Sequence, residues 1–204
     1  MSFPTLPTVG SVIERAQALA AHIAQLPQTR VYLVAHSMGG LDCRYFLSQL
    51  DTQHRVQGLA TIATPHRGTP LADWLLTAPT IVPKLLRPWL MIALKDLTIS
   101  ACRQVNETLP DRSDVRYVSY AGARPVTEMP PWFRPWTRLL EAQAGDNDSQ
   151  VPLTSAQWGE FKGVVRADHL ELVGWSFAHA NADIQRPFDH LTFHQRVVAD
   201  LVQG

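Results

Sequence analysis

The sequence predicts an α/β fold in which a mostly parallel sheet is flanked by helices. Short apolar runs read as strands buried on both faces, apolar residues recur at helical spacing between them, and the two patterns alternate along the chain. From the front, Ser11 is placed to cap a helix running to about Leu26, with Glu14 three residues on. Val31–Ala35 (VYLVA) is the first strand, and a helix follows from about Gly39 to Leu50 with Leu41, Tyr45, Phe46 and Leu50 on its inner face. Val56–Thr64 is the second strand, stopped by Pro65. Residues 71–110 are helical and apolar, interrupted by Pro79, Pro83 and Pro88. Val115–Gly122 is the third strand, a Pro/Trp-rich segment occupies 125–145, and 161–166 is a short fourth strand. A closing helix over 187–202 carries Phe188, Leu191, Phe193, Val197, Val198 and Leu201 as its apolar positions.

Composition narrows the function. With 46 % hydrophobic and 18 % charged residues in 204, one globular domain over 1–204 is expected, and disordered or collagen-like chains are excluded. Eighteen Lys and Arg balance eighteen Asp and Glu, which leaves no electrostatic footprint for nucleic acid. Cys43 and Cys102 are expected as free thiols in a reducing compartment. No apolar run is long enough to span a bilayer, and the first residues lack the basic and apolar blocks of a secretory signal. A cytoplasmic location is therefore expected. No His, Asp and Glu spacing suggests a zinc site, and no cofactor is expected.

The chemistry concentrates in VYLVAHSMGGLDCRYF, where an apolar strand enters Ala35-His36-Ser37-Met38-Gly39 and a helix begins at once. A strand–turn–helix of this kind forces the central Ser into a strained backbone conformation with its hydroxyl exposed. Ala35 and Gly39 supply the small residues that the crossing backbones need. The Met38 N–H, at the helix N-terminus, is expected to face a developing oxyanion. A Ser hydroxyl needs a base, and the base needs an orienting carboxylate. Asp148, in the polar loop GDNDSQVPL, is the first choice of acid and Asp146 the second; His169, in RADHLELVGW, is the base. His36 is expected to point away from the attack site. His66 in TPHRG lies at a strand end, where it is expected to line the substrate side. His22, His54, His179, His190 and His194 carry no such signal.

In order along the chain, AHSMGGLDCRYFLSQL, GLATIATPHRGTPLADWLL, LTISACRQVNETLPD, VRYVSYAG, NDSQVPLTSAQWGEF and DHLELVGW resemble the bacterial and fungal triacylglycerol lipases of the α/β-hydrolase superfamily. The resemblance covers nearly the whole chain. It implies an α/β-hydrolase fold with Ser37 as nucleophile, Asp148 as acid and His169 as base. In calcium-holding secreted members an Asp stands two residues after the His; Glu171 occupies that position here, and no metal is expected. The resemblance also implies an early strand and a His-Gly loop supplying a second oxyanion donor. No His-Gly pair occurs in the thirty-six residues before Ser37, which predicts an N-terminally truncated hydrolase beginning at the helix before the nucleophile strand.

On the substrate side, PTIVPKLLRPWLMIAL follows the TPHRGT segment, where lipases of this resemblance insert a lid. Residues of about 71–112 are expected to form that cap, with Trp89 and Leu90 facing an acyl pocket and touching a lipid interface transiently. Trp132, Phe133 and Trp136 are placed on the same apolar wall or in the core. The expected reaction is hydrolysis of a neutral lipid or acyl ester through an acyl-enzyme. Its rivals are a catalytically impaired remnant lacking the second oxyanion donor, and an amidase or acyltransferase on the same scaffold.

Overall fold

The computed structural model describes residues 1–77, 87–175 and 188–203, the side chains of 87–90 excepted. Helix α1 (Val12–Ala24) starts where Ser11 and Glu14 form a reciprocal capping box: the Glu14 carboxylate accepts the Ser11 N–H at 2.8 Å. Strand β1 (Val31–His36) leads through Ser37 into helix α2 (Met38–Gln49), and strand β2 (Val56–Ile62) follows. Three helices come next, α3 (Pro70–Thr77), α4 (Arg87–Asp96) and α5 (Ile99–Thr108), before strand β3 (Arg116–Gly122). Helix α6 (Arg134–Ala144), the short turn α7 (Leu153–Ala156), strand β4 (Glu160–Val165) and helix α8 (His190–Val202) complete the described residues.

The four described strands form one sheet in the order β1-β2-β3-β4, every neighbouring pair parallel. Parallel pairing needs crossover connections, which the intervening helices provide. Apolar residues of both sheet faces are covered. Ala16, Leu19 and Ile23 of α1 and Cys43, Phe46 and Leu47 of α2 pack with Leu33, Ala35 and Leu59 on one face. Phe193, Val197 and Leu201 of α8 pack with Ala60, Ile62, Val118 and Tyr120 on the other.

One expectation is corrected. Strand β1 is not buried on both faces: Tyr32 is 38 % and Val34 44 % exposed, while Leu33 and Ala35 are buried. Among the described strands β1 lies at the sheet edge, paired only with β2, so α8 shields the centre of its face but not this margin. The Pro/Trp-rich segment also contains a helix, α6, because Pro135 sits in its first turn, where a missing N–H costs no intrahelical bond. Phe133 is buried at the start of that helix and Trp132 is exposed. The segment over 78–86 and the side chains of Trp89 and Leu90 lie outside the described residues, as does His179. Among the described residues no helix is long and apolar enough to cross a membrane. Cys43 and Cys102 are free and buried.

Candidate active site

The turn at Ser37 is built by bulk. Ser37 adopts φ 53° and ψ −134°, a conformation that L-residues disfavour and that only a well-braced turn maintains. Its N–H donates to the Ile62 carbonyl at 2.9 Å, extending the pairing of β1 with β2. Its carbonyl accepts the Thr64 hydroxyl at 2.7 Å and the Gly40 N–H at 3.1 Å. The tightest spot lies one residue beyond the expected one. A Cβ on Gly39 would meet the Ala35 Cβ at an ordinary 3.7 Å, whereas a Cβ on Gly40 would lie 2.2 Å from the Thr64 Oγ1. Gly40 therefore lets α2 pass the end of β2, and Thr64 fills the space it leaves.

Asp148, in the loop after α6, and His169, after β4, meet at the C-terminal end of the sheet, where α/β proteins gather their functional loops. After α6 the chain returns against Gly122, where a Cβ would lie 3.1 Å from the Asp148 Cβ and 2.9 Å from the Ala167 carbonyl oxygen. Asp148 Oδ1 accepts the backbone N–H groups of Gln150 at 3.0 Å and Val151 at 2.7 Å, which orients the carboxylate. Its other oxygen, Oδ2, lies 2.7 Å from His169 Nδ1. The His169 N–H also donates to the Asp148 carbonyl at 2.8 Å, locking the two residues together through backbone as well as side chain. On the far side of the imidazole, Nε2 lies 2.9 Å from Ser37 Oγ. Asp148 and His169 are buried and Ser37 half-buried, so of the three the hydroxyl is the most open to solvent.

Ser37, Asp148 and His169 are thus one hydrogen-bonded array. Asp146 stands aside, its side chain exposed and its carbonyl accepting the Leu153 N–H. Met38 takes the first position of α2, beside Ser37. His66 is not brought to the site. Its ring is 0 % exposed, Nε2 lies 3.0 Å from Thr61 Oγ1, and it stacks on Trp158 with ring centroids 5.1 Å apart. Its N–H is shared between the Thr64 and Ser155 carbonyls, which turns the loop and its ring into the interior. Burial then holds the His66 imidazole well below its usual range, neutral.

His36 does the reverse of what its position suggests. Its ring tilts against the His169 ring with centroids 4.5 Å apart, and its Nε2 lies 3.0 Å from the His169 carbonyl oxygen. A carbonyl only accepts, so Nε2 carries the proton. Burial, followed by the neighbouring His169, holds His36 well below the usual imidazole range and keeps it neutral beside the base. Thr64, Gly40 and His36 are the supporting residues that motif reading missed. The small pair Gly39-Gly40 was visible in the sequence; which of the two is indispensable depends on where residue 64 falls.

Glu171, at the position where a resemblance to calcium-holding lipases places an Asp, pairs instead with the guanidinium of Arg124 at 2.9 Å.

Comparison with known proteins agrees with this architecture. Residues 9–188 match the family described as the alpha/beta hydrolase fold. The chain is 30 % identical to triacylglycerol lipase 2 of Saccharomyces cerevisiae, over 97 % of this chain and 67 % of the yeast protein. Among solved structures, a metagenomic carboxyl esterase superimposes with a TM-score of 0.78 at 21 % identity, over 98 % of this chain and 66 % of the other. The Staphylococcus hyicus lipase gives a TM-score of 0.70 at 16 % identity, over 97 % of this chain and 83 % of the other. The chain thus spans about two thirds of the length of the yeast protein and of the metagenomic esterase.

Proposed function

Because the chain belongs to the alpha/beta hydrolase family, we propose that it is a serine carboxylic-ester hydrolase of lipase or esterase type. The observation that carries this reading is the bonded series Ser37–His169–Asp148, with contacts of 2.9 and 2.7 Å. The names of the yeast relative, a triacylglycerol lipase, and of the metagenomic neighbour, a carboxyl esterase, support an ester as the substrate.

In this mechanism His169 Nε2 takes the proton of the Ser37 hydroxyl as Oγ attacks the ester carbonyl. Asp148, held by two N–H donors, keeps the Nδ1 proton in place and stabilises the imidazolium. Charge developing on the carbonyl oxygen is received by the Met38 N–H at the start of α2, where the helix dipole adds to the effect. Collapse of the tetrahedral intermediate breaks the bond to the leaving alcohol, which departs with the proton from His169. A water molecule, deprotonated by the same imidazole, then attacks the acyl-Ser37 ester and releases the carboxylic acid.

The substrate is read as a neutral lipid or acyl ester, with the apolar residues of the α3–α4 region serving as its cap. The test is hydrolysis of p-nitrophenyl esters of increasing acyl length by the protein and by Ser37→Ala. Turnover is expected to fall by roughly 10⁶-fold in the variant. Equal rates in the two proteins would reject the assignment.

A further inference from the structure

Three charged or polar anchor points lie around the Asp148 and His169 loops, and one residue reaches all of them. Arg124 lies two residues beyond β3. Its backbone N–H donates to the Asn147 carbonyl at 3.2 Å, immediately before the acid Asp148. Its Nη2 donates to the Arg166 carbonyl at 3.2 Å, ahead of the base, and to the Glu171 carboxylate at 2.9 Å, behind it. The ion pair is sealed from solvent, with side chains 5 % and 1 % exposed. From Glu171 the restraint passes inward. Glu171 Oε2 accepts the Asp168 N–H at 2.9 Å, and Asp168 Oδ1 accepts the N–H groups of Leu170 at 2.8 Å and Glu171 at 3.0 Å. His169 is therefore enclosed between residues whose backbone groups are each tied down.

From this arrangement we infer that Arg124 is the positioning residue of the acid–base pair: it holds the Asp148 and His169 loops at one mutual distance by gripping both. Asp148 and His169 sit on separate connections, after β3 and after β4, and a slip of an ångström between those connections breaks a 2.7 Å hydrogen bond. Such a slip costs about 10²-fold in rate even when the reacting residues are unchanged. A surface ion pair would be too weak to set that distance, but a buried guanidinium with fixed acceptors is both directional and costly to disrupt. Burial raises the carboxyls of Asp168 and Glu171, so a cation between the loops also keeps two neighbouring acids compatible with one fold.

The inference rests on the hydrolase reading for its kinetic arm only. Arg124→Met combined with Glu171→Gln removes both charges at once, so that no unpaired ion remains buried. In this double variant, kcat for p-nitrophenyl esters is expected to fall about 10²-fold with KM unchanged. The far-downfield proton NMR signal of the His169–Asp148 hydrogen bond is expected to weaken or vanish. A purely structural role would lower the melting temperature and leave kcat and that signal as they were, which would overturn the inference. Should the double variant not fold, Arg124→Lys decides. It keeps a charge near Glu171 on a side chain one bond too short to place its nitrogen where Nη2 bridges Glu171 and the Arg166 carbonyl, so wild-type kcat with an unaltered signal would overturn the proposal equally. If the wild-type protein hydrolyses no ester, the hydrolase reading fails while the NMR arm still tests Arg124.

Discussion

At Ser37 the backbone is braced by packing: Gly40 passes against Thr64 with no room for a methyl group, and the strained φ of 53° is maintained by that fit. At His169 polar groups add to the apolar anchors Ala167 and Leu172: the Arg124–Glu171 pair, the Asp168 carboxylate and the His36 ring also hold the turn. In the proposed mechanism Ser37 stays in one unfavourable conformation throughout, which bulk accomplishes well. His169 would alternate between neutral and charged, and directional hydrogen bonds hold its ring and backbone without crowding the Ser37 hydroxyl.

The steepest way to break the steric half of this comparison is Gly40→Ala. Its Cβ would fall 2.2 Å from Thr64 Oγ1, and overpacking of that kind costs roughly 1–3 kcal/mol. Gly39→Ala, with 3.7 Å to Ala35, is expected to be far better tolerated. Chemical denaturation of the two variants checks this. Equal stability would mean that packing does not hold the elbow.

A smaller effect sharpens the comparison from the opposite direction, since the elbow helix also carries a buried charge. Asp42 lies on α2, bonded to Arg15 at 2.8 Å, with Oδ1 lacking a partner and Asp96 nearby. Burial pushes its carboxyl up to about 7. The folded protein therefore keeps a proton that the unfolded chain has already released, and Asp42's contribution to stability declines as pH rises through about 7. Here the charge opposes the fold. Asp42→Asn is expected to flatten the dependence of melting temperature on pH between about pH 4 and about pH 7, raising stability at the upper end. An unchanged slope would show that Arg15 fully compensates the buried carboxylate.

The same contrast explains what could be read from residues alone. The elbow is a contiguous pattern, an apolar strand, a Ser between small residues and a helix, so VYLVAHSMGG declared itself. Asp148 and His169, proposed as acid and base, could be picked out because each stands in a polar loop, in the chain order that a Ser so early would demand. The polar frame was not legible. Arg124, Arg166, Asp168 and Glu171 meet only after two strand ends are brought together, and no spacing along the sequence records that meeting. His36 was misjudged for a related reason: adjacency to Ser37 suggested a side chain turned away, but the base it supports comes from 133 residues downstream. His66 failed as a substrate-side residue because its loop folds inward onto Trp158. Helix α6 was not assigned from the sequence; Pro135 sits in its first turn, where proline costs no intrahelical bond. For β1, an all-apolar run suggested two covered faces, yet its position in the sheet, rather than its composition, decides how much of Tyr32 and Val34 is covered.

The most direct measurement is covalent labelling with a fluorophosphonate, followed by mass mapping of the adduct, on the wild-type protein and on His169→Gln. The phosphonyl group is predicted to sit on the Ser37 oxygen and on no other residue, and to form far more slowly once the imidazole is gone. A folded protein that takes up no label, or one labelled at the same rate without His169, would contradict the account.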